Sequence, residues 1–174
     1  LTVLDLISVA RQRFDVRFTA SHCVSLSAIE SDRLSEVADG LAECGVGVVA
    51  LPQTNLFLQG RDDFQRIPRG IAPVGVLRRH GVLVAAGGDN VQDPFNLVGR
   101  SDPLEAAALM VMAAHESPDD ALNLVSNGAR AVMGLPECGP RLGSVADIVA
   151  IPARSAREAV ADASADRIVF RAGQ

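Results

Sequence analysis

Two polar side chains that could do chemistry each follow an apolar segment of strand length. His22 comes soon after the alternating segment 16–20, and Asp89 comes after the apolar segment 82–86 and two glycines. If both segments are strands of one parallel sheet, their carboxyl ends meet at one edge, where α/β enzymes place their active sites. An imidazole and a carboxylate there could bind a metal ion or transfer a proton. Taken singly, each residue could also be structural, His22 as a satisfied strand-end residue and Asp89 as part of a turn.

The other histidines, and the cysteine beside His22, are placed less well for a shared site. His80 precedes the strand that Asp89 follows, about nine residues and ~30 Å of extended chain away, so these two cannot share a metal ion. We interpret His80 and His115 as residues at helix ends, where a cation is favoured. Cys23 should point away from the site, because neighbouring strand residues face opposite sides. A zinc or iron site needs three or four protein ligands, of which Asp89 supplies one and the rest are not in this sequence.

Helices and strands alternate along the chain. The spacing of apolar residues predicts helices at 1–14, 35–44, 71–80, 103–115 and 118–133. Apolar runs predict strands at 16–20, 46–51 and 82–86, and the polar stretch 53–69 is expected to form a long loop. The two later helices each begin with an N-cap residue and a proline, Asp102-Pro103 and Ser117-Pro118. Segment 45–50 fits the pattern GxGxxA, but it begins a strand instead of following one, so we do not interpret it as a dinucleotide-binding motif.

This alternation predicts an α/β fold with a parallel sheet covered on both faces. The strands begin about 30 to 36 residues apart, the size of a βαβ unit. The chain opens on a helix, and a closed (β/α)8 barrel needs roughly 250 residues, so we expect the C-terminal part of such a barrel, about strands 6–8. Two short strands, 146–151 and 167–171, flank a small helix at 155–161. We therefore expect a partial barrel at 1–143 and part of a small β-module at 144–174.

Composition excludes several classes of function. The 174 residues carry a net charge of −5, with no Trp, no Tyr and no block of basic residues, which argues against binding nucleic acid. No apolar run approaches the ~18 residues of a membrane span. Three cysteines without CxxC spacing favour a reducing compartment, the cytoplasm, over a disulfide framework.

Three segments, Thr19–His22, Leu51–Arg61 and Gly87–Phe95, resemble the bacterial cytosine deaminases of the amidohydrolase superfamily. The resemblance runs in order along nearly the whole chain, through Arg69–Ile71 and into the tail at Gly143–Asp147. It implies a metal-dependent barrel hydrolase that converts a ring amine and water into a ring carbonyl and ammonia.

The resemblance also implies roles for particular residues. Asp89 would be the strand-eight carboxylate, ligating one Fe²⁺ or Zn²⁺ and accepting a proton from the water that the metal activates. His22 would stand beside the tetrahedral centre, orienting it or stabilising its developing charge. The family's first-strand His-x-His, its third histidine ligand and the glutamate that protonates the ring nitrogen are expected upstream of Leu1.

Two positions depart from the family pattern near the substrate. Phe95 stands where cytosine deaminases have a tryptophan against the pyrimidine, and Asn90 stands where they have a second aspartate. We therefore expect Phe95 and Asn90 to contact a substrate that is cytosine or a related N-heterocyclic amine. Isocytosine, creatinine-like and triazine amines remain open, as does a non-catalytic fragment that serves only as an assembly partner. The intact enzyme is expected to be a cytoplasmic homo-oligomer.

We predict that the 174-residue chain alone neither holds a catalytic metal tightly nor deaminates cytosine, because one carboxylate offers too few ligands. Metal analysis of the dialysed chain, with an assay for released ammonia, checks this. Stoichiometric zinc or iron retained after dialysis would contradict it.

Overall fold

A computed structural model describes residues 2–65 and 67–174. Its helices, in chain order, are α1 (Val3–Arg13), α2 (Ser31–Glu43), α3 (Pro52–Leu58), α4 (Val74–Arg79), α5 (Pro103–Ala114), α6 (Pro118–Leu124), α7 (Asn127–Met133) and α8 (Ala156–Asp162). Its strands are β1 (Phe18–Ser21), β2 (Val46–Ala50), β3 (Val84–Ala86), β4 (Ile148–Ala150) and β5 (Ile168–Phe170). None of the described helices has the length and apolar character needed to cross a membrane.

The first three strands form a parallel sheet in the order β1-β2-β3. Val48 is fully buried at its centre, where it pairs with Ala20 on one side and Val84 on the other. Next to Val48, Gly47 faces the opposite side of the sheet, where a Cβ atom would lie 2.9 Å from Val132 of α7. Glycine therefore lets α7 lie close to the strand. This arrangement confirms the parallel sheet predicted from the buried, apolar strands.

Several predicted bounds change because local hydrogen bonds and prolines override hydrophobic spacing. The first strand starts at Phe18, not residue 16, because the Val16 N–H bonds Phe14 in a turn after α1. The helix predicted at 71–80 begins only at Val74, after Pro73. The helix predicted at 118–133 is broken at Ser126 into α6 and α7.

Of the other predicted elements, some are confirmed and others are wrong in their bounds or type. The helix predicted at 35–44 starts earlier, at Ser31, while the helix predicted at 1–14 is observed as α1; Leu1 lies outside the described residues. The long loop predicted at 53–69, which includes the undescribed Arg66, is wrong in its first part, since α3 occupies it. The two predicted N-caps, Asp102 and Ser117, are confirmed, and each accepts a backbone hydrogen bond from its own helix.

The tail forms the predicted pair of short strands, β4 and β5, which run antiparallel around α8. Helix α8 packs on α5 and α6, and its Val160 joins the main hydrophobic core. A second link is ionic: Arg167 donates two hydrogen bonds to Asp102, at 3.0 and 2.5 Å. Asp102 also caps α5 by accepting from the Leu104 N–H at 3.0 Å. The tail is therefore held to the helix that follows the β3 edge.

We predict that Asp102→Asn lowers the free energy of unfolding by about 1–2 kcal/mol at neutral pH, between the values of an exposed and a buried ion pair. Asparagine still caps a helix, so the loss comes from the negative charge and from one of the two acceptor oxygens that Arg167 uses. Hydrogen bonding from Arg167, followed by that from Leu104, lowers the pKa of the Asp102 carboxyl.

The sign of this pH dependence follows from the lowered pKa. The pair's contribution is fully present above the unfolded-state pKa, about 4, and is lost as the pH falls through the folded-state value. Urea unfolding should therefore show that the difference in free energy of unfolding between the unchanged protein and Asp102→Asn becomes smaller on acidification. A difference that stays constant as the pH falls below about 4 would contradict the role of the charge.

Candidate active site

His22 lies at the carboxyl end of β1, where the chain leaves the sheet. Its N–H donates to the carbonyl of Val49 at 3.0 Å, which extends the parallel pairing by one residue. His22 and Cys23 both have left-handed backbone, with φ of 66° and 51°, so the chain turns sharply there. Cys23 was expected to be a strand residue, and this is wrong, because β1 ends at Ser21. The Cys23 side chain nevertheless packs against the hydrophobic core, and burial raises the pKa of its thiol.

Asp89 reaches the same edge from β3. The Gly87 N–H bonds the Ala50 carbonyl at 3.0 Å, so the chain stays beside β2 before it turns. Asp89 Oδ2 lies 3.7 Å from His22 Nε2, and both side chains are partly exposed, at 33% and 41%. The structure thus brings together the imidazole and the carboxylate, as the parallel-sheet argument predicted for their positions.

The first turn of α3 contacts both His22 and the loop that follows Asp89. Asn55 is buried, and its Nδ2 lies 2.8 Å from His22 Nδ1. Thr54, also buried, hydrogen-bonds the Asn90 side chain through Oγ1, which in turn accepts from the Asn90 N–H, both at 3.2 Å. Neither residue was predicted from the sequence, because the polar stretch 53–69 was expected to form a loop. Pro52, directly after a buried strand, was the available signal, since proline favours the first position of a helix.

The loop that follows Asp89 is ordered by its own hydrogen bonds. Asp93 accepts from Asn90 Nδ2 at 2.5 Å and from the Phe95 and Asn96 backbone N–H groups at 2.9 and 3.1 Å. Burial acts to raise the pKa of the Asp93 carboxyl, but these three donors outweigh it and the pKa is lowered. The buried Asn96 closes the loop through the Asn90 carbonyl, at 2.7 Å. Phe95 projects from this loop with 52% of its surface exposed.

The remaining histidines lie at helix ends, as predicted. His80 follows the last residue of α4, and its Nδ1 lies 2.7 Å from Asp39 Oδ1. His115 follows α5 in a left-handed conformation. Neither is paired with Asp89.

The donor set at the edge fits part of a metal centre. Within residues 2–65 and 67–174, no three His, Cys, Asp or Glu side chains converge as metal ligands. Asp89 offers one carboxylate, a hard oxygen donor suited to a divalent cation, with an imidazole beside it. Further ligands would have to come from outside the described residues.

Residues 3–172 match the amidohydrolase family. The chain belongs to this family. Pterin deaminase of Rhizobium rhizogenes (strain K84) is 33% identical over 172 residues, covering 96% of this chain and 39% of that protein. The resemblance to deaminases of the amidohydrolase superfamily, inferred from the sequence, is thereby confirmed.

Two solved structures relate this amidohydrolase to a known fold. 5-Methylcytosine deaminase from Klebsiella pneumoniae, liganded with 5-fluorocytosine, matches with a TM-score of 0.83 and 25% identity, over 99% of this chain and 43% of that one. N-isopropylammelide isopropylaminohydrolase from Burkholderia multivorans matches with a TM-score of 0.77 and 28% identity, over 98% and 42%. The chain therefore spans about two fifths of the length of these relatives, and its α/β fold is similar to the C-terminal part of amidohydrolase barrels.

We predict that Asp93→Ala loosens the loop at 90–99, because it removes three hydrogen-bond acceptor contacts at once. Chymotrypsin cleavage after Phe95 should become several-fold faster. Cleavage after Phe64, which is 97% exposed in the unchanged protein, serves as the internal control and should keep its rate. Equal rates at Phe95 in both proteins would show that Asp93 does not hold the loop.

Proposed function

We propose that this amidohydrolase chain supplies the C-terminal part of a hydrolytic deaminase of N-heterocyclic amines. The observation that carries the proposal is the pair of Asp89 and His22, 3.7 Å apart at the carboxyl edge of a parallel sheet. Active sites of barrel enzymes lie at this edge. The reaction is attack of water on the ring carbon that bears the amino group, followed by loss of ammonia and formation of a ring carbonyl.

Asp89 would hold one divalent metal ion, Fe²⁺ or Zn²⁺. When bound, such an ion lowers the pKa of water and polarises the group under attack. The Asp89 carboxylate is one-third exposed, so it can also accept a proton of the attacking water. The other ligands would come from the segment that completes the barrel.

His22 would stabilise the charge that develops on the attacked ring. Its ring is fixed on one side by Asn55 and faces Asp89 on the other. A preoriented donor of this kind acts mainly in the transition state, because it does not need to reorganise during the reaction. Asp89 and His22 thus divide proton acceptance and charge stabilisation between them.

The substrate class rests on the relatives and on the loop after Asp89. Pterin, 5-methylcytosine and N-isopropylammelide, in the names of the three relatives, are all ring compounds with exocyclic nitrogen. We propose a substrate of this class, cytosine among the candidates, stacked on Phe95. Asn90 would contribute through its amide, which Thr54 and Asp93 orient.

The finer architecture is also a proposal. Strands β1, β2 and β3 would correspond to barrel strands six, seven and eight, with the barrel part ending near residue 143. Residues 144–174, which include β4 and β5, would belong to a small β-module completed by other residues. The assembled enzyme, meaning this chain together with the segment that completes its barrel, would be a homo-oligomer in a reducing compartment.

In the assembled enzyme, we predict that Asp89→Asn and His22→Ala each lower kcat by at least about 10²–10³, with little loss of fold. His80→Ala is the control, because His80 lies at the end of α4 beside Asp39 and far from this edge in the fold. Steady-state kinetics with circular dichroism provide the test. If His80→Ala lowered kcat as much as His22→Ala, the active site would lie at the opposite edge of the sheet from the one proposed.

A second prediction concerns substrate choice. Phe95→Trp should change the relative kcat/KM of different ring amines. The change should correspond to about 1–2 kcal/mol in relative transition-state stabilisation, the size expected from reshaping an apolar pocket. Phe95→Ala should weaken the best substrate most, since stacking area is lost. If Phe95 only packs its own loop, both variants will scale all substrates in a panel by the same factor.

A further inference from the structure

Asn55 is the one buried polar side chain of the described chain that bonds the ring of His22. It lies in the first turn of α3 with 4% of its surface exposed, and its Nδ2 is 2.8 Å from His22 Nδ1. Its backbone is fixed as well, since the Asn55 N–H donates to the Leu51 carbonyl at 3.1 Å. A helix that begins directly after β2 thus carries the contact to a residue at the end of β1.

The two ring nitrogens of His22 face groups of different chemistry. Nδ1 faces the amide of Asn55, and Nε2 faces the carboxylate of Asp89 at 3.7 Å. A carboxylate only accepts hydrogen bonds, so it favours a proton on Nε2. With that proton on Nε2, the neutral ring keeps a lone pair on Nδ1, which needs a donor. The Asn55 Nδ2–H group supplies it.

The opposite orientation of the amide conflicts with the contact between His22 and Asp89. Asn55 Oδ1 would then accept from Nδ1–H, which leaves a lone pair on Nε2 facing the Asp89 carboxylate. In the observed orientation Oδ1 of Asn55 is buried and has no hydrogen-bond partner among residues 2–65 and 67–174. Leaving a buried acceptor unpaired is unfavourable, and here it accompanies the donor contact to His22.

We propose that Asn55 is a positioning residue that fixes His22 as the Nε2–H tautomer. His22 then presents a hydrogen-bond donor, not a base, to the reacting atoms, and Asp89 remains the only proton acceptor of the pair. The consequence for catalysis rests on the proposed deaminase function, whereas the tautomer itself is a property of the chain.

Nuclear magnetic resonance of the ¹⁵N-labelled chain, at a pH where histidine is neutral, tests the assignment. The pattern of ring ¹H–¹⁵N couplings should identify His22 as the Nε2–H tautomer. A scalar coupling between Asn55 Nδ2 and His22 Nδ1 should be detectable, because only an N–H···N hydrogen bond connects two nitrogens. An Nδ1–H tautomer of His22 in the unchanged chain would overturn the proposal.

The substitution Asn55→Asp extends the test, because a carboxylate at this position can only accept. It should place a proton on His22 Nδ1. The matched control is Gln53→Glu, the same amide-to-acid change at a buried neighbour in the same turn, which should leave His22 with Nε2–H alone. His80 is the internal standard: its Nδ1 faces the Asp39 carboxylate, so it should show the opposite tautomer in every protein. Persistence of Nε2–H alone in folded Asn55→Asp would overturn the proposal.

Kinetics separate this inference from the proposed function. In the assembled enzyme, Asn55→Asp should lower kcat on the order of 10²-fold or more, as expected when a catalytic histidine is held in the wrong tautomer. KM should stay within a few fold, and Gln53→Glu should change neither parameter by more than a few fold. A tautomer that switches while kcat is unchanged would overturn the role of Asn55 in catalysis. An unchanged enzyme that deaminates no ring amine, but shows the expected couplings, would contradict the proposed function alone.

Discussion

Two adjacent residues in one buried turn of helix connect the segments that carry the site. Asn55 contacts His22 at the end of β1, and Thr54 bonds Asn90 in the loop that follows β3. Both contacts depend on β2, since α3 begins two residues after that strand ends and β2 lies between the other two. A shift in the register of β2 would therefore move both contacts together. The parallel pairing of the three strands fixes the distance between His22 and Asp89.

This arrangement explains why polar residues are buried next to an apolar core. Gln53, Thr54 and Asn55 are each less than one-tenth exposed, and the side-chain oxygens of Gln53 and Asn55 lack a partner among residues 2–65 and 67–174. Buried polar groups are normally paired, and exceptions are expected at functional or strained sites. Here the cost falls on the turn that orients the imidazole.

The sequence predicts the fold well where burial alone decides it. Val46 to Ala50 and Val84 to Ala86 are apolar throughout, so their burial and parallel pairing follow from composition. The same reasoning fails at Gln53 to Asn55, because polarity there reflects hydrogen bonds to His22 and Asn90 instead of exposure. Hydrophobic spacing carries no information about such partners.

The site residues also fall into those that strand topology predicts and those that depend on side-chain contacts. The positions of His22 and Asp89 follow from the rule that parallel strands end at one edge, without knowledge of any contact. Asn55 could not be found in this way, since its role depends on a side-chain contact between two strands' carboxyl ends. The loop after Asp89 is intermediate: its polar residues predict a turn, whereas the burial of Asn96 emerges only from the three-dimensional structure.

Our proposal is that this edge performs hydrolytic deamination of a ring amine. Its most direct test is to assay the assembled, metal-loaded enzyme in ¹⁸O-enriched water on pterin, cytosine, 5-methylcytosine and ammelide-type amines. The account predicts that at least one ring releases ammonia and gains one ¹⁸O atom at the same carbon, for each ammonia released. Release of no ammonia from any ring, or ammonia without ¹⁸O in the product, would contradict it.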